Sequence, residues 1–346
     1  RRGSDYAWPA RLRSARQRVP RLAPALIGCL LLATGSGGWY YYNGHVLNEY
    51  TTAKMRREIQ AQYERDFKKY ERLPQPHVIA VDTDINIFPE RRSFEGHGRF
   101  TLQNKTAQPI PQIHLTDAQE SISEVKFDRP FHRVSQSPRN FYSIYALETP
   151  LQPGETVRLE FKTSHTARGF KDGNERPELA YNGTFFDLSY FPVIGYDPNG
   201  ELSEPRRRVE AHLPPLEEMP PRGDAWGSKF NGFSTDSDWI TYHTIVSTSD
   251  DQIAIAPGYL KRDWREKGRH YFEYDMGQTK VLNFHAYLSG RYAVKAVKHG
   301  DVNIEVYHDP AHPYDVDDMI SAAQDGLDYF TKNFSDFQYK QYRILE

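Results

Sequence analysis

From Leu22 to Tyr42 the chain carries no charged side chain and is dominated by Leu, Ala, Gly and Tyr. At a rise of about 1.5 Å per residue, a helix of this length reaches roughly 30 Å, the thickness of a bilayer's hydrocarbon core. Everything downstream is polar and rich in Tyr, Phe and Pro. The segment therefore predicts a transmembrane helix over residues 22–42 that tethers a large extramembrane body. Arg1, Arg2, Arg11, Arg13, Arg16, Arg18 and Arg21 precede it, with Asp5 the one acid among them. Positive flanks stay cytoplasmic, so residues 1–21 read as a cytosolic flank and the body as exported. Lys54, Arg56 and Arg57 oppose that orientation from farther off. Trp39, Tyr40, Tyr41 and Tyr42 stand where amphipathic rings mark an interface. The expected location is the inner membrane, with a single span and the body on the periplasmic or extracellular side. A cleaved signal peptide is the rival reading, with Leu22 to Ala33 as its apolar region and Ala33-Thr34-Gly35 as its small-residue cleavage site.

The rest of the 346 residues suffices for one or two domains. A net charge of -2 provides no field to draw nucleic acid, and no nucleic-acid partner is expected. The lone Cys29 lies in the apolar segment and reads as a small packing residue rather than a reactive thiol. Without disulfides the body must rely on its core, and 19 Phe and 23 Tyr supply one.

Residues 43–76 read as a helical stalk. Between about Val46 and Arg72, Met55, Ile59, Tyr63, Phe67 and Tyr70 form one apolar stripe, and Glu64 and Lys68 an i,i+4 pair on another face. Pro74 and Pro76 end it. The stripe needs a partner, either the protein's own body or another subunit. Beyond His77 the period falls to two: Ile79, Val81, Ile85 and Ile87 alternate with polar residues. Phe94, Phe100 and Leu102 continue the pattern, as do Ile113 and Leu115, Phe141 to Leu147, and Val157, Leu159 and Phe161 after the Pro153-Gly154 turn. Later strands are expected at Trp239 to Val246, Gln252 to Ala256, His270 to Tyr274, Asn283 to Leu288, Tyr292 to Val297 and Val302 to Tyr307. Short strands with frequent turns predict a mainly β fold, a twisted antiparallel sandwich or saddle. The Pro-rich stretch from Ala167 to Ser237 lacks periodicity and reads as surface lobes or a binding rim. A helical period returns at Asp315 to Phe334, through Val316, Ile320, Ala323, Leu327, Phe330 and Phe334.

Few constellations carry chemistry. His308 and His312 have an H-x-x-x-H spacing, but Pro310 and Pro313 bar a regular helix and no third ligand is near. Asp315, Asp317 and Asp318 crowd a helix start, where capping and the macrodipole account for them. Asp197-Pro198-Asn199-Gly200-Glu201 lacks the ligand spacing of a calcium loop and reads as a tight turn, as does Asp172-Gly173-Asn174. There is no phosphate loop, His-Glu-x-x-His, G-x-S-x-G or Cys-x-x-Cys. The expected catalytic, cofactor-binding and metal residues are therefore none.

Three stretches carry a resemblance. Leu151-Gln-Pro-Gly-Glu-Thr-Val-Arg-Leu-Glu-Phe, Asn283-Phe-His-Ala-Tyr-Leu-Ser, and Gly300-Asp-Val-Asn-Ile-Glu-Val-Tyr with the helix ending Leu327-Asp-Tyr-Phe-Thr-Lys-Asn-Phe resemble the N-terminal portion of the aminopeptidase N family of zinc metallopeptidases. The resemblance implies that residues 77–309 are that family's N-terminal β domain and residues 310–346 the start of its thermolysin-like catalytic domain. Phe191-Pro-Val-Ile-Gly-Tyr-Asp-Pro-Asn-Gly-Glu-Leu looks more like a membrane branch, in which an aminopeptidase-like region is fused to an ABC-transporter permease. The chain opens on Arg1 and stops at Glu346, and is read as a fragment of a longer parent. By resemblance the parent would hold zinc on a His-Glu-x-x-His helix, with that Glu as general base. The β domain would cover and shape the peptide-binding site. The alternative is a non-catalytic exported scaffold or binding domain of a permease. The implied partners are the bilayer, the rest of the parent chain, peptides and transporter subunits.

Overall fold

The computed structural model describes residues 8–18, 22–137, 141–170, 178–216, 221–225, 227 and 238–346. Much of the basic flank, and the Asp172-Gly173-Asn174 turn, lie outside the described residues. The chain divides into two compact units.

Of the described residues, the first unit contains 8–18, 22–52 and 168–170. Its helices are α1 (Trp8–Arg18) and α2 (Leu22–Tyr41), the latter widening into a π-helical turn over Tyr42–Leu47. The expectation of a transmembrane helix at residues 22–42 does not hold: α2 forms, but no helix among the described residues is long and apolar enough to cross a membrane. The physical reason lies in its second half, where Thr34, Gly35, Ser36, Gly37 and Gly38 supply little apolar surface to offset the burial of polar backbone. At the end of α2, Trp39 and Tyr40 pack on Phe170, with ring centroids 4.9 and 5.8 Å apart. Asn48 Nδ2 donates to the Arg168 carbonyl at 2.9 Å. The aromatic cluster thus has partners within its own unit.

The second unit begins with α3 (Ala53–Phe67) and a 3-10 turn at Lys68–Tyr70. The helix starts later than the stripe suggested, because the chain is irregular from Asn48 to Thr52. Strands follow: β1 (His77–Phe88), β2 (Ser93–Gln103), β3 (Ile110–Thr116), β4 (Ile122–Phe127), β5 (Phe131–Ser137), β6 (Tyr142–Leu151) and β7 (Thr156–Thr166). After them come β8 (Thr184–Asp187), β9 (Val193–Ile194), a short α4 (Pro205–Glu210), β10 (Trp239–Ser249), β11 (Ile253–Ile255), β12 (Tyr259–Glu266), β13 (Arg269–Asp275), β14 (Val281–Leu282) and β15 (Ala286–Gly290). The chain closes with β16 (Ala293–His299), β17 (Val302–His308), α5 (Val316–Asn333) and β18 (Gln341–Leu345).

The largest sheet runs β12-β13-β10-β1-β2-β7-β4, with β14 beside β10. One of its faces shares a core with the sheets β5-β6-β3-β9 and β11-β15-β8. The mainly β expectation holds, but the pairing is not uniformly antiparallel: β1 and β10 are parallel at the centre, as are β17 and β18. Alternation in β1 places Val81, Thr83, Ile85 and Ile87 inside. A bulge between Val78 and Ala80 flips the pleat, so Val78 rather than Ile79 is fully buried.

The opposite face is polar and knitted by charge. Arg262, Glu273, His243, Asp82, Arg99 and Glu160 alternate in sign across successive strands at 3.0–3.5 Å. Burial works against a charged His243, yet Asp82 and Glu273 more than offset it and raise its pKa.

The Pro-rich stretch departs from its expected role as a surface rim. Leu179, Phe186, Tyr190, Phe191, Ile194, Tyr196 and Leu202 are all buried. Phe186 stacks on Phe94 at 4.2 Å, and Ser121 Oγ and Thr163 Oγ1 both donate to the Tyr190 carbonyl. Its apolar residues follow turns rather than a repeat, so no period reveals their burial.

Two glycines of β2 have a packing reason. Gly96 and Gly98 face the core, and a Cβ on Gly98 would lie 2.0 Å from Phe161 Cζ. The phenyl ring occupies the space of the absent side chain. Gly98→Ala should therefore destabilise by about 1–3 kcal/mol through forced displacement of Phe161, read from urea unfolding. An unchanged midpoint would mean the ring moves freely.

Candidate functional site

The His308 and His312 rings do not converge on a common ligand position. His308 Nδ1 bonds the Asp309 carbonyl, and His312 Nδ1 meets Glu346 Oε1 at 2.6 Å. Among the described residues, no three His, Cys, Asp or Glu side chains are placed to hold a metal ion. The residues present do not fit a zinc centre. Asp315 stands at the N-cap of α5 in a left-handed conformation (φ 64°), and its side chain makes no capping bond. Asp317 pairs with Lys295. Asp197 accepts bonds from the backbone and side-chain amides of Asn199, closing the turn that the sequence indicates.

The most concentrated polar site is one that spacing did not reveal. Helix α3 does not pair Glu64 with Lys68. Instead Arg208 clamps Glu64 through two bonds of 2.6 and 2.8 Å, and both side chains are only 3 % exposed. Arg208 also donates to the carbonyls of Leu202 and Pro214. Lys68 Nζ turns instead to Glu201 at 2.6 Å and Glu71 at 2.8 Å. Glu201 Oε1 accepts a further bond from Tyr196 at 3.1 Å, while its buried Oε2 has no hydrogen bond. Tyr63 donates to the Asp197 carbonyl and accepts from the Asp197 amide. Around these charges Tyr63, Phe67, Tyr70, Tyr142 and Tyr196 stack into an aromatic cluster. The apolar stripe of α3 thus finds its partner on the protein's own body. Arg206-Arg207-Arg208 gave no sign of which arginine goes inside, since only the helical turn at Pro205–Glu210 selects Arg208.

His114 borders this cluster, its Nδ1 bonded to Tyr142 at 2.9 Å and its Nε2 unpartnered. His285 lies deeper, among Phe191, Tyr242 and Tyr287, with neither ring nitrogen hydrogen-bonded. Burial lowers both imidazoles from 6.5 to about 4. The arrangement holds neutral rings in apolar surroundings.

No family model matches the sequence, and no curated protein does. Solved structures do. The fold is similar to the M1 zinc metallopeptidase of Deinococcus radiodurans, with TM-score 0.52 and 15% identity over 78% of this chain and 56% of that one. A mutant of that enzyme bound to a Tyr-Ser-Ala substrate gives TM-score 0.52 and 16% identity over the same shares, 78% and 56%. A two-domain M1 zinc metallopeptidase mutant bound to L-tryptophan gives TM-score 0.51 and 16% identity, again over 78% and 56%. At such identities the likeness is one of fold, to the N-terminal, β-rich part of those enzymes. The chain spans 56% of their length.

Two tests follow from the buried groups. Arg208→Ala leaves Glu64 charged and unpaired, and should destabilise by about 3–5 kcal/mol. Replacing both partners (Glu64→Leu with Arg208→Met) should recover most of that, and a double variant as unstable as the single one would refute the ion-pair account. For pH, an imidazole with a depressed native pKa binds protons more readily when unfolded. Stability is then full above 6.5 and falls as pH drops through 6.5 towards 4. Each ring contributes on the order of 3 kcal/mol to that loss. His285→Phe should flatten unfolding free energy across this window by about half, and an unaltered slope would exclude His285 as a source.

Proposed function

We propose that this chain is the non-catalytic, β-rich portion of a zinc-aminopeptidase-like protein, where it covers and shapes the peptide-binding site of a catalytic domain that follows it. The observation that carries this reading is the half-seated helix α5. Its first turns bury Val316 and Ile320 against Ile304 and Val306 of β17, with Ala323 and Leu327 partly covered. Farther along, Phe330 is 59% and Phe334 73% exposed. The helical period puts Phe330 on the same face as Val316 and Ile320, yet it stands exposed. With Leu327, Phe337 and Tyr342 these rings line a groove of about 580 Å³. Among the described residues, β18 has a strand partner on one side only, so a further strand can be added at its other edge. Burying each such ring contributes about 1.5–3 kcal/mol, a strong drive to cover them. The likeness to M1 zinc metallopeptidases supports this reading, since those chains extend well beyond the matched part.

The test compares this chain with a longer stretch of its parent. Alone, the chain should hydrolyse no aminoacyl reporter and hold no stoichiometric zinc. Residues 327–334 should exchange amide hydrogens faster than β1 and β2. In the longer protein that exchange should slow, and zinc and aminopeptidase activity should appear together. Tight zinc in this chain alone, or equal protection of α5 and β1, would overturn the reading. Slowed exchange without zinc or activity would favour the permease-associated scaffold instead.

A further inference from the structure

Strands β4 and β5 are consecutive and joined by the short Asp128-Arg129-Pro130 link, yet they do not pair with each other. Among the described residues, β4 pairs only with β7, at the end of the large sheet, and β5 only with β6, at the end of the second. Their arms start together where Phe127, Phe131 and Tyr145 meet at centroid distances of 5.1–6.0 Å. From there they part company, and the wedge between them is an open cleft of about 580 Å³. That volume lies within the range of about 300–1,000 Å³ typical of ligand sites.

The lining says what the wedge can take. Ile122, Ser123, Glu124 and Val125 all face it. Four consecutive strand residues cannot share one pleat face, so the cleft runs along the backbone edge of β4. Bulges at Ile122/Glu124 and Arg133/Ser135 interrupt both edges but leave the segments near the apex regular. Leu115, Phe131 and Tyr145 make an apolar floor. The loops at its mouth hold Glu120 (φ 51°) and Phe141 (φ 48°) in left-handed conformations, which for a side chain as bulky as Phe is a strained state found at ligand sites.

Three carboxylates, Asp117, Glu120 and Glu124, line the wedge beside Arg133, and each of them is already engaged. Asp117 already accepts bonds from the amides of Ser121 and Ile122, and Glu124 is held by Lys126 and Lys162. Arg133, the one cation among the lining residues, is exposed and has no ion pair or side-chain hydrogen bond among the described residues. We propose that the wedge is a docking site for an extended peptide segment with apolar side chains and one carboxylate. Its backbone pairs with the edge of β5 and with that of β4 beyond Ile122, whose amide Asp117 already takes, its apolar side chains sit on Leu115, Phe131 and Tyr145, and its carboxylate meets Arg133. The wedge belongs to the β body, and its occupancy is independent of whether a catalytic domain follows.

Calorimetric titration with acetyl-Val-Thr-Val-Thr-Val-Asp amide tests this. A dissociation constant on the order of 0.1–1 mM is expected, the weak end appropriate to a small interface. Arg133→Gln should weaken the acidic peptide about fivefold and leave its Asn counterpart unchanged. Ser143→Trp, which fills the wedge from β6, should abolish binding of both peptides. Amide exchange in residues 122–127 and 131–137 should slow on binding, and a peptide N-methylated at alternate residues should not bind. No heat at millimolar peptide, equal affinity for the Asp and Asn peptides, or an Arg133→Gln protein that binds as before would each overturn the proposal. So would decanoate displacing the peptide without slowing exchange, which would make the wedge a site for small amphiphiles.

Discussion

The interior of this protein is closed by aromatic side chains carried by β8 and the turn that follows it. Phe186, Tyr190 and Phe191 stand between the large sheet and its smaller partners, against Phe94, Phe161 and Tyr287. A Phe ring buried there removes about 150–250 Å² from water. Without it the sheets would face each other across voids that interiors do not tolerate. The strands on either side of it share this one core.

The Glu64–Arg208 pair serves a different end. Removing two charges from water is costly, and their mutual attraction rarely does more than recover that cost. A bidentate fork, however, tolerates little displacement. It fixes the register of α3 against the turn that carries Arg208, where an apolar contact alone would permit sliding. The aromatic cluster supplies the adhesion and the ion pair the alignment.

Much of the β architecture is legible in the sequence because a half-buried strand writes its burial in alternate letters. β2, β7 and β10 follow this rule directly, through Phe94 and Leu102, Leu159 and Phe161, Ile240 and Val246. The rule fails where backbone geometry intervenes: a single bulge at Val78 and Ala80 moves the buried residue by one place. It has nothing to say about which strands are neighbours, and so the parallel contact of β1 with β10 is invisible to it. Length and lack of charge suggested a membrane span at α2, but a run of Thr, Gly and Ser weighs against it once apolar content is counted along the whole helix. The candidate site was least legible of all. Glu64 lies more than 130 residues from Glu201 and Arg208, and each has a sensible surface role when viewed beside its near neighbours.

The parallel union of β1 and β10 also sets an order of events. Thr83 and Thr244 share a hydrogen bond across 161 residues, as do Asn86 and Ser247. During synthesis β1 and β2 leave the ribosome long before β10 exists, and the β1 edge that β10 will cover stays open meanwhile. Such distant closure slows folding and exposes a bare edge to wrong partners. The like charges on the outer face of β1, Asp82 and Asp84, make a stranger's strand less welcome during the wait. A chain interrupted before residue 239 would retain β1, β2 and β7 yet lack the strand that makes β1 interior, and would be a template for aggregation rather than a smaller version of the same protein.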